Sequence, residues 1–360
     1  MFKKFLLVSF SILFSLIICE FLLRFFMPQN VGGYFMRQNE NGLWIIKNNY
    51  KYYDRFNGKT YIYRSGDFNN RITHEYSSKI KKILLLGDSF TFGFRLKDKD
   101  TYVSKLQNLF PQYYFINSAS PNWGLSDYTK YIENYCENFE WEKVIIFLNT
   151  DDIGRVYYSN QYWLENGQII PGNQGKFNAW YVKYYDYPLI KILITNSHLI
   201  RFTATKIVDF SRKKINLMGE KINKDTLKDE IILYPQKILK NKSEVDKLIK
   251  KSELIIKRLK EKADSCDLDI YFIYSGWVNF RKNENNFNEL NPNVNFFKSA
   301  QLIFDSYNIK FFDNSFDPEM RDVNLNRHNY IIQYDHHPNK IGSEKIFNVI
   351  KDDIEKILNY

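Results

Sequence analysis

The segment that decides the fold is Ile83-Leu84-Leu85-Leu86-Gly87-Asp88-Ser89-Phe90. Its first four residues form a short, continuous apolar run, which is typical of a strand buried on both faces of a parallel sheet. Gly87 ends the run, so Asp88 and Ser89 stand at the carboxyl end of this strand. In an open α/β sheet, ligands bind beyond the carboxyl ends of the strands. We therefore expect Ser89 to lie on a turn that leads toward a helix and presents its hydroxyl.

Further apolar runs predict four more strands, and the segments between them predict helices. The strands are 113–117, 144–148, 269–274 and 309–312, and the helices are 98–110, 126–139, 241–264, 294–307 and 342–357. Strands that alternate with helices indicate βαβ units and a parallel sheet with helices on both faces. The predicted fold class is therefore α/β, a flavodoxin-like three-layer sandwich with a central parallel sheet.

The N-terminus carries an apolar run that is long enough to cross a bilayer. Lys3 and Lys4 precede it, and a spanning helix needs roughly 20 residues. The positive flank predicts that the rest of the chain faces the periplasm or the cell exterior. Glu20 is a charge near the far end, where it can reach the interface. A cleaved signal peptide is the alternative, but no small-x-small cleavage site follows, so residues 1–28 are predicted to be a transmembrane anchor in the cell membrane.

Composition divides the remainder into a flap, a main domain and an insertion. Residues 29–79 are polar and aromatic without a long period, which indicates a linker and an N-terminal flap. The main domain covers 80–360 and is interrupted at about 153–240 by aromatic loops and an apolar segment at 187–209. Lys191 and Arg201 lie within that segment and argue against a second membrane span. We interpret the insertion as a cap beside the sheet.

Charge and cysteine content exclude two classes of function. Lys and Arg number 51 against 41 Asp and Glu, a net charge of +10. The excess lysine lies largely in 213–262, interleaved with acidic residues as on solvated helix faces, so no nucleic-acid partner is expected. Three cysteines, Cys19, Cys136 and Cys266, do not form a metal cluster. Cys136 and Cys266 can pair outside the cytoplasm, and two free thiols are the alternative.

A second group of reactive residues stands just before the last predicted helix. It is Asp335-His336-His337-Pro338-Asn339. A serine hydroxyl becomes a nucleophile when a base takes its proton, and histidine is the usual base. A carboxylate fixes the tautomer of the imidazole and stabilises its charged form. Asp335 and His337 can point into the same site. A metal site at the histidine pair is the alternative, but no Glu or Cys stands at ligand spacing, so we expect no metal and no cofactor.

Together these motifs resemble the SGNH hydrolase family, also called GDSL esterases or lipases, from about residue 80 to 357 with the insertion excepted. The first family motif matches Gly87-Asp88-Ser89, and the last matches His337-Pro338-Asn339 with Asp335 before it. The resemblance implies that Ser89 is the nucleophile, His337 the base and Asp335 its partner. His336 is the weaker candidate for the base.

The two middle motifs, which build the oxyanion hole together with the Ser89 N–H, match less well. The second motif lies in Asn117-Ser-Ala-Ser-Pro-Asn122-Trp123-Gly124 and offers Asn122 and Gly124 as donors. The third motif normally ends in Asn-Asp, but Asp151 stands at the Asn position here, and an ionised carboxylate cannot donate a hydrogen bond. Asn149, two residues earlier and on the same face of an extended strand, is the alternative amide donor.

The resemblance implies acyl transfer through an acyl-Ser89 intermediate. The first hypothesis is a membrane-anchored esterase or O-acyltransferase that acts on acyl groups, above all acetyl groups, of a cell-surface glycan or on a small ester. Trp123 and Trp163 are candidates to stack on sugar rings, and packing is their alternative role. The second hypothesis is a lipase or lysophospholipase whose 187–209 segment touches the membrane. The third is a non-catalytic glycan-binding module with a degenerate site, which Asp151 favours.

Overall fold

The structure, a computed structural model, describes residues 2–27, 35–56, 58–75, 81–138, 140–159, 161–172, 196–203, 206, 242–277, 292–333 and 335–360. The aromatic loop around Trp180 and most of the 187–209 segment lie outside these residues. The chain divides into two compact units. The first unit comprises Met1–Phe35, Lys51–Ile62 and Lys176–Glu230, and the second, the sheet unit, comprises Met36–Tyr50, Tyr63–Gly175 and Ile231–Tyr360. The boundaries 1–28, 29–79 and 80–360 remain a prediction.

The described residues form strands and helices in an alternating order after residue 80. In chain order they are α1 (Phe2–Phe26), β1 (Met36–Gln38), β2 (Trp44–Ile46), β3 (Lys51–Phe56), β4 (Lys59–Arg64), β5 (Lys81–Leu86), α2 (Ser89–Phe92), α3 (Tyr102–Leu109), β6 (Tyr113–Asn117), α4 (Leu125–Tyr135), β7 (Lys143–Leu148), α5 (Asp152–Tyr158), β8 (Tyr162–Glu165), β9 (Gln168–Pro171), α6 (Lys242–Ser265), β10 (Asp269–Tyr274), α7 (Pro292–Ser306), β11 (Lys310–Asp313), α8 (Pro318–Leu325) and α9 (Lys340–Asn359).

In the first unit, α1 is long and apolar enough to cross a membrane. An 18-residue stretch within Lys3–Phe26 has a mean hydropathy of 2.5 and is not buried within the protein. The Glu20 carboxylate accepts hydrogen bonds from the Ser197 Oγ and from the backbone N–H groups of His198 and Leu199, at 2.8 to 2.9 Å. Arg24 donates to Glu20 at 3.1 Å. The acidic residue of α1 is therefore bound by the residues around 198, which belong to the same unit.

In the sheet unit, five parallel strands form a central sheet in the order β11-β10-β7-β5-β6. When the five strands of this sheet are numbered 1 to 5 along the chain, the order read from β6 to β11 is 2-1-3-4-5, as in flavodoxin-like folds. The predicted fold class is confirmed. The sheet order reverses between β5 and β7, and ligands bind at the carboxyl ends of such a switch point. The residues that follow β5 therefore lie at the position where the topology favours a site.

The central strands are buried on both faces, as their continuous apolar sequence predicted. Leu84 and Leu86 of β5 pack into one core together with α4, α6 and α7, whereas Ile83 and Leu85 pack into a second core with α3 and α9. Each of these four side chains is fully buried, and each burial contributes about 1.5 to 3 kcal/mol. A strand with this sequence is stable only where helices cover both sides of the sheet.

Two predicted helices have different ends in the structure, and capping explains one of them. The helix predicted over 98–110 begins only at Tyr102, because the Thr101 hydroxyl accepts a hydrogen bond from the Ser104 N–H at 3.2 Å and caps it. The helix predicted over 126–139 ends at Tyr135. The next residue, Cys136, forms a disulfide with Cys266. Of the two alternatives for these cysteines, the structure has the pair.

Candidate functional site

The candidate nucleophile lies in the tight turn between β5 and α2. A side chain at Gly87 would collide with Thr91, so the turn needs a glycine. The Asp88 carboxylate caps α2 by accepting the Phe90 N–H at 2.8 Å. Ser89 is the first residue of α2, where backbone N–H groups lack partners within the helix. Within the described residues, no acceptor binds the Ser89 N–H, which leaves it available to a ligand.

Ser89, His337 and Asp335 form one hydrogen-bonded chain. The Ser89 Oγ lies 2.8 Å from the His337 Nε2, and the His337 Nδ1 lies 2.5 Å from the Asp335 Oδ1. The serine and the histidine are 248 residues apart in the sequence. Burial alone would raise the pKa of the Asp335 carboxyl, but hydrogen bonds from the His337 ring and N–H, together with the Arg95 guanidinium, hold that pKa well below its usual range. Asp335 is therefore ionised and can orient the imidazole.

The loop before α9 fixes the position of His337. The His337 carbonyl accepts the Ile332 N–H at 2.9 Å, and Asn339 caps α9 by accepting the Gly342 N–H at 2.9 Å. The Phe94 ring lies 5.0 Å from the His337 ring, measured between centroids. These contacts keep the imidazole against the nucleophile turn.

His336 stacks on His337, with 4.5 Å between the ring centroids, and its side chain is 68% exposed. The structure thus brings His337, and not His336, to Ser89. Asp335, His336 and His337 also place ligand atoms within 4.8 Å of one another, close enough to hold a metal ion. Both nitrogens of His337 are already engaged, with Asp335 and with Ser89. This arrangement favours proton transfer over metal binding.

Arg95 binds the second oxygen of Asp335, a contact that sequence reasoning missed. The guanidinium donates to the Asp335 Oδ2, and the two residues are 240 apart in the sequence. The side chains are 15% and 4% exposed. Both carboxylate oxygens of Asp335 are therefore occupied, one by His337 and the other by Arg95.

A second buried charge network lies beside the nucleophile turn and is centred on Arg155, which sequence reasoning also missed. Its Nη1 donates to the Asp88 Oδ2 at 2.9 Å, to the Asp152 Oδ1 at 2.8 Å and to the Trp123 carbonyl at 2.6 Å. The side chains of Asp88 and Asp152 are 1% and 0% exposed. Burial raises the pKa of Asp152 well above its ordinary value, and the charge of Arg155 opposes that effect. One guanidinium thus joins the turns that follow β5, β6 and β7.

The structure separates the predicted oxyanion donors into two groups. The Gly124 N–H donates to the Asp127 carboxylate at 3.0 Å at the start of α4, and the Asn149 amide donates to Asp88 at 3.0 Å. The Gly124 N–H and one N–H of the Asn149 amide therefore already have acceptors within the protein, and the assignment of both residues to the oxyanion hole remains a prediction. Asp151 lies 3.9 Å from Arg155 and offers only acceptor atoms.

The Ser89 N–H and Asn122 remain as donors. Asn122 is exposed and has a φ of 67°, the left-handed conformation that a glycine often takes at such a turn. No hydrogen bond engages Asn122 in the part of the chain that the structure describes. The N–H groups of both residues can therefore donate to a ligand oxygen.

The two tryptophans differ in exposure. Trp123 is 2% exposed, and its Nε1 donates to the Trp44 carbonyl at 2.6 Å. Of the two roles considered for Trp123, packing is therefore the one that the structure has, because the ring lies in the core. Trp163, on the β8–β9 hairpin, is 46% exposed, and the stacking of its ring on a sugar remains a prediction.

Arg71 is a third arginine whose buried contacts the sequence did not reveal. Its side chain is 0% exposed. It donates to the carbonyls of Phe92, Gly93 and Leu96, and it forms an ion pair with Asp98 at 2.9 Å. Arg71 thereby fixes the loop that carries Arg95. A lone arginine in a polar, aromatic segment gives no local signal of such a contact.

No protein-family model and no curated protein matches the chain. Among solved structures, the psychrotrophic esterase EstA from a Pseudoalteromonas species is 13% identical, with a TM-score of 0.43 over 78% of this chain and 100% of its own. The acetyl xylan esterase AlAXEase is 14% identical, with a TM-score of 0.40 over 76% of this chain and 99% of its own. A member of the lipolytic protein G-D-S-L family from Veillonella parvula is 11% identical, with a TM-score of 0.39 over 76% and 97%. These matches are esterases or G-D-S-L proteins, the class that the sequence motifs resemble. At these identities and TM-scores, the function has to be argued from the chain's own residues.

Proposed function

We propose that this chain is a serine esterase of the SGNH type, anchored in the membrane by α1, with Ser89 as its nucleophile. The observation that carries the proposal is the hydrogen-bonded chain from the Ser89 Oγ through His337 to Asp335, with distances of 2.8 and 2.5 Å. Nucleophile, base and orienting carboxylate within hydrogen-bond reach are the geometric requirement for serine catalysis.

The reaction follows from this geometry. The Ser89 Oγ attacks the acyl carbon while the His337 Nε2 takes the hydroxyl proton, and Asp335 stabilises the imidazolium that forms. The tetrahedral intermediate collapses, the bond to the alcohol breaks, and His337 returns the proton to the leaving oxygen. The acyl group stays on Ser89 until water or a sugar hydroxyl attacks it. Water gives hydrolysis, and a sugar hydroxyl gives O-acyl transfer.

The Ser89 N–H and the Asn122 N–H are the proposed oxyanion donors. The Ser89 N–H has no acceptor in the described part of the chain, and it opens a helix, where the dipole favours negative charge. The positive φ of Asn122 suits a backbone donor at a turn. Arg155 supports both residues, because it binds Asp88 before Ser89 and the carbonyl of Trp123 after Asn122. Removing one such donor typically lowers kcat by about 10²- to 10³-fold.

The location outside the cytoplasm is part of the proposal. Lys3 and Lys4 flank the apolar helix on the side that stays cytoplasmic. The disulfide between Cys136 and Cys266 supports an oxidising compartment such as the periplasm or the cell exterior. The bonds from Ser197, His198 and Leu199 to Glu20 support retention of α1, because cleavage after it would remove their acceptor.

The proposed substrate is an ester-linked acyl group, above all an acetyl group, on a surface glycan. The exposed Trp163 supports this choice, since an indole offers a flat apolar face with a polar edge. A lipase that acts on long acyl chains is the competing enzyme. A glycan-binding module without catalysis is the competing non-enzyme, supported only by Asp151 at the position of the donor asparagine.

Nitrophenyl esters of increasing chain length separate these functions. The full-length protein in detergent is assayed on acetyl, butyryl, octanoyl and palmitoyl esters, beside a Ser89→Ala variant. The proposal predicts turnover of the acetyl ester that disappears in the variant. Preference for the octanoyl or palmitoyl ester would assign a lipase instead, and absence of Ser89-dependent turnover on every ester would contradict an esterase. Acetylated glycans, with free acetate and acylated acceptor measured separately, then distinguish hydrolysis from transfer.

A further inference from the structure

We propose that Arg95 is a fourth member of the catalytic group, a positioning residue that holds the Asp335 carboxylate toward His337 and keeps a positive charge beside the pair. The inference rests on the proposed function. It differs from the three-residue arrangement that the sequence motifs imply, because it adds a permanent cation to the serine, histidine and aspartate.

The first support is the division of the Asp335 carboxylate between two partners. Its Oδ1 accepts the His337 Nδ1 at 2.5 Å and the His337 N–H at 3.0 Å, and its Oδ2 accepts the Arg95 guanidinium. With Asp335 only 4% exposed, little water is available to replace the arginine. Loss of Arg95 would leave one oxygen of a buried carboxylate without its donor, and the carboxylate would then be free to rotate away from the imidazole.

The second support is the way the backbone holds Arg95. Its φ is 59°, a left-handed conformation that costs a non-glycine residue roughly 1 kcal/mol or more. The Arg95 N–H donates to the Tyr63 hydroxyl at 2.7 Å, and Arg71 binds the carbonyls of Phe92, Gly93 and Leu96 around it. Several contacts thus maintain an unfavourable backbone conformation at Arg95. In that conformation the Arg95 guanidinium reaches Asp335.

Arg95 acts on His337 through its charge as well as through the position of Asp335. The Arg95 guanidinium on the far oxygen of Asp335 places a permanent positive charge beside His337, and like charges disfavour a second positive charge on the imidazole. Three other charged or titratable groups lie near: His336 stacks on His337, and Arg327 and Asp88 act electrostatically on His336. These three are unchanged when only Arg95 is replaced, so a difference between variants reports on Arg95.

The test is the pH dependence of the rate at which a fluorophosphonate labels Ser89 in the full-length protein. Arg95→Gln removes the charge but keeps an amide donor, and Arg95→Lys keeps the charge. Arg64→Met is the matched control, since Arg64 is half exposed and its ion pair, at 3.5 Å, is with Asp98 and not with Asp335. Arg95→Met supplies a second neutral variant if glutamine does not permit folding, which thermal melting reports.

We expect the midpoint of the acid limb to rise by about one pH unit in Arg95→Gln, and to stay near the wild-type value in Arg95→Lys and Arg64→Met. The maximal rate should fall about tenfold in Arg95→Gln. A purely structural role would lower the maximal rate without moving the midpoint, and that result would overturn the inference. If the wild-type protein is not labelled at Ser89, the proposed function fails instead, so the two failures are distinct.

Discussion

Replacing Arg155 with methionine should remove much of the free energy of unfolding at neutral pH. Arg155 bonds two carboxylates, Asp88 and Asp152, whose side chains are 1% and 0% exposed. Breaking a buried ion pair by removing one partner costs about 3 to 5 kcal/mol. The lost hydrogen bond to the Trp123 carbonyl adds about 1 kcal/mol. The expected loss is therefore about 4 to 6 kcal/mol, against a total of roughly 5 to 15 kcal/mol for a typical protein.

The pH dependence of this loss identifies its cause. Without Arg155, the folded-state pKa of the buried Asp152 carboxyl lies further above its unfolded value. A carboxylate with a raised folded pKa destabilises the fold increasingly as the pH rises above the unfolded pKa, because the unfolded chain releases the proton first. The difference between wild type and variant should therefore be largest near pH 8 and shrink toward about pH 5.

Urea unfolding of the full-length protein in detergent, followed by tryptophan fluorescence, measures the effect. Arg64→Met is the matched control, because the Arg64 side chain is 49% exposed and pairs with Asp98 at 3.5 Å. An exposed pair of this kind contributes less than about 1 kcal/mol. If Arg155→Met costs no more than Arg64→Met, or if its cost does not change with pH, the account of the buried network is refuted.

Three other perturbations test separate parts of the structure. Asp335→Asn should slow fluorophosphonate labelling by about 10³- to 10⁴-fold, because an amide favours the wrong tautomer of His337; a change of less than tenfold would count against the role of Asp335. Gly124→Ala should destabilise the protein by about 1 to 3 kcal/mol in urea unfolding, because the added carbon would lie 2.8 Å from the Asp152 carbonyl oxygen; an unchanged stability would show that the turn can relax. Burial lowers the pKa of His74 from 6.5 to about 4, so the unfolded chain takes up a proton first and stability is lost as the pH falls through this range. His74→Gln should reduce that loss by about 3 kcal/mol at pH 4, and identical pH profiles of stability would contradict the assignment.

The sequence predicted those features that depend on a local pattern. The strands 113–117 and 269–274 agree with the structure at both ends, because a short apolar run bounded by polar residues has one stable position in a parallel sheet. Ser89 and the Asp335–His337 pair were recognisable because each stands at or shortly before the start of a helix, in a short motif whose chemistry needs those residue types.

The features that the sequence did not predict depend on contacts between distant segments. Arg71, Arg95 and Arg155 are single arginines in segments without a motif, and each reaches its partners through tertiary packing. Asn149 and Gly124 were assigned to the oxyanion hole because their positions in the motifs allowed it. In the structure one donor of each has an acceptor within the protein, Asp88 for Asn149 and Asp127 for Gly124, and only the fold determines which acceptor a donor reaches.

The most direct test of the central claim is covalent labelling of Ser89. The full-length protein in detergent is treated with a fluorophosphonate, and the modified residue is located by peptide mass spectrometry. Ser306→Ala, at an exposed serine of α7, is the matched control for Ser89→Ala. The account predicts one adduct on Ser89 in the wild type and in Ser306→Ala, and none in Ser89→Ala. A folded wild-type protein without an adduct on Ser89, or equal labelling of Ser89→Ala, would contradict it.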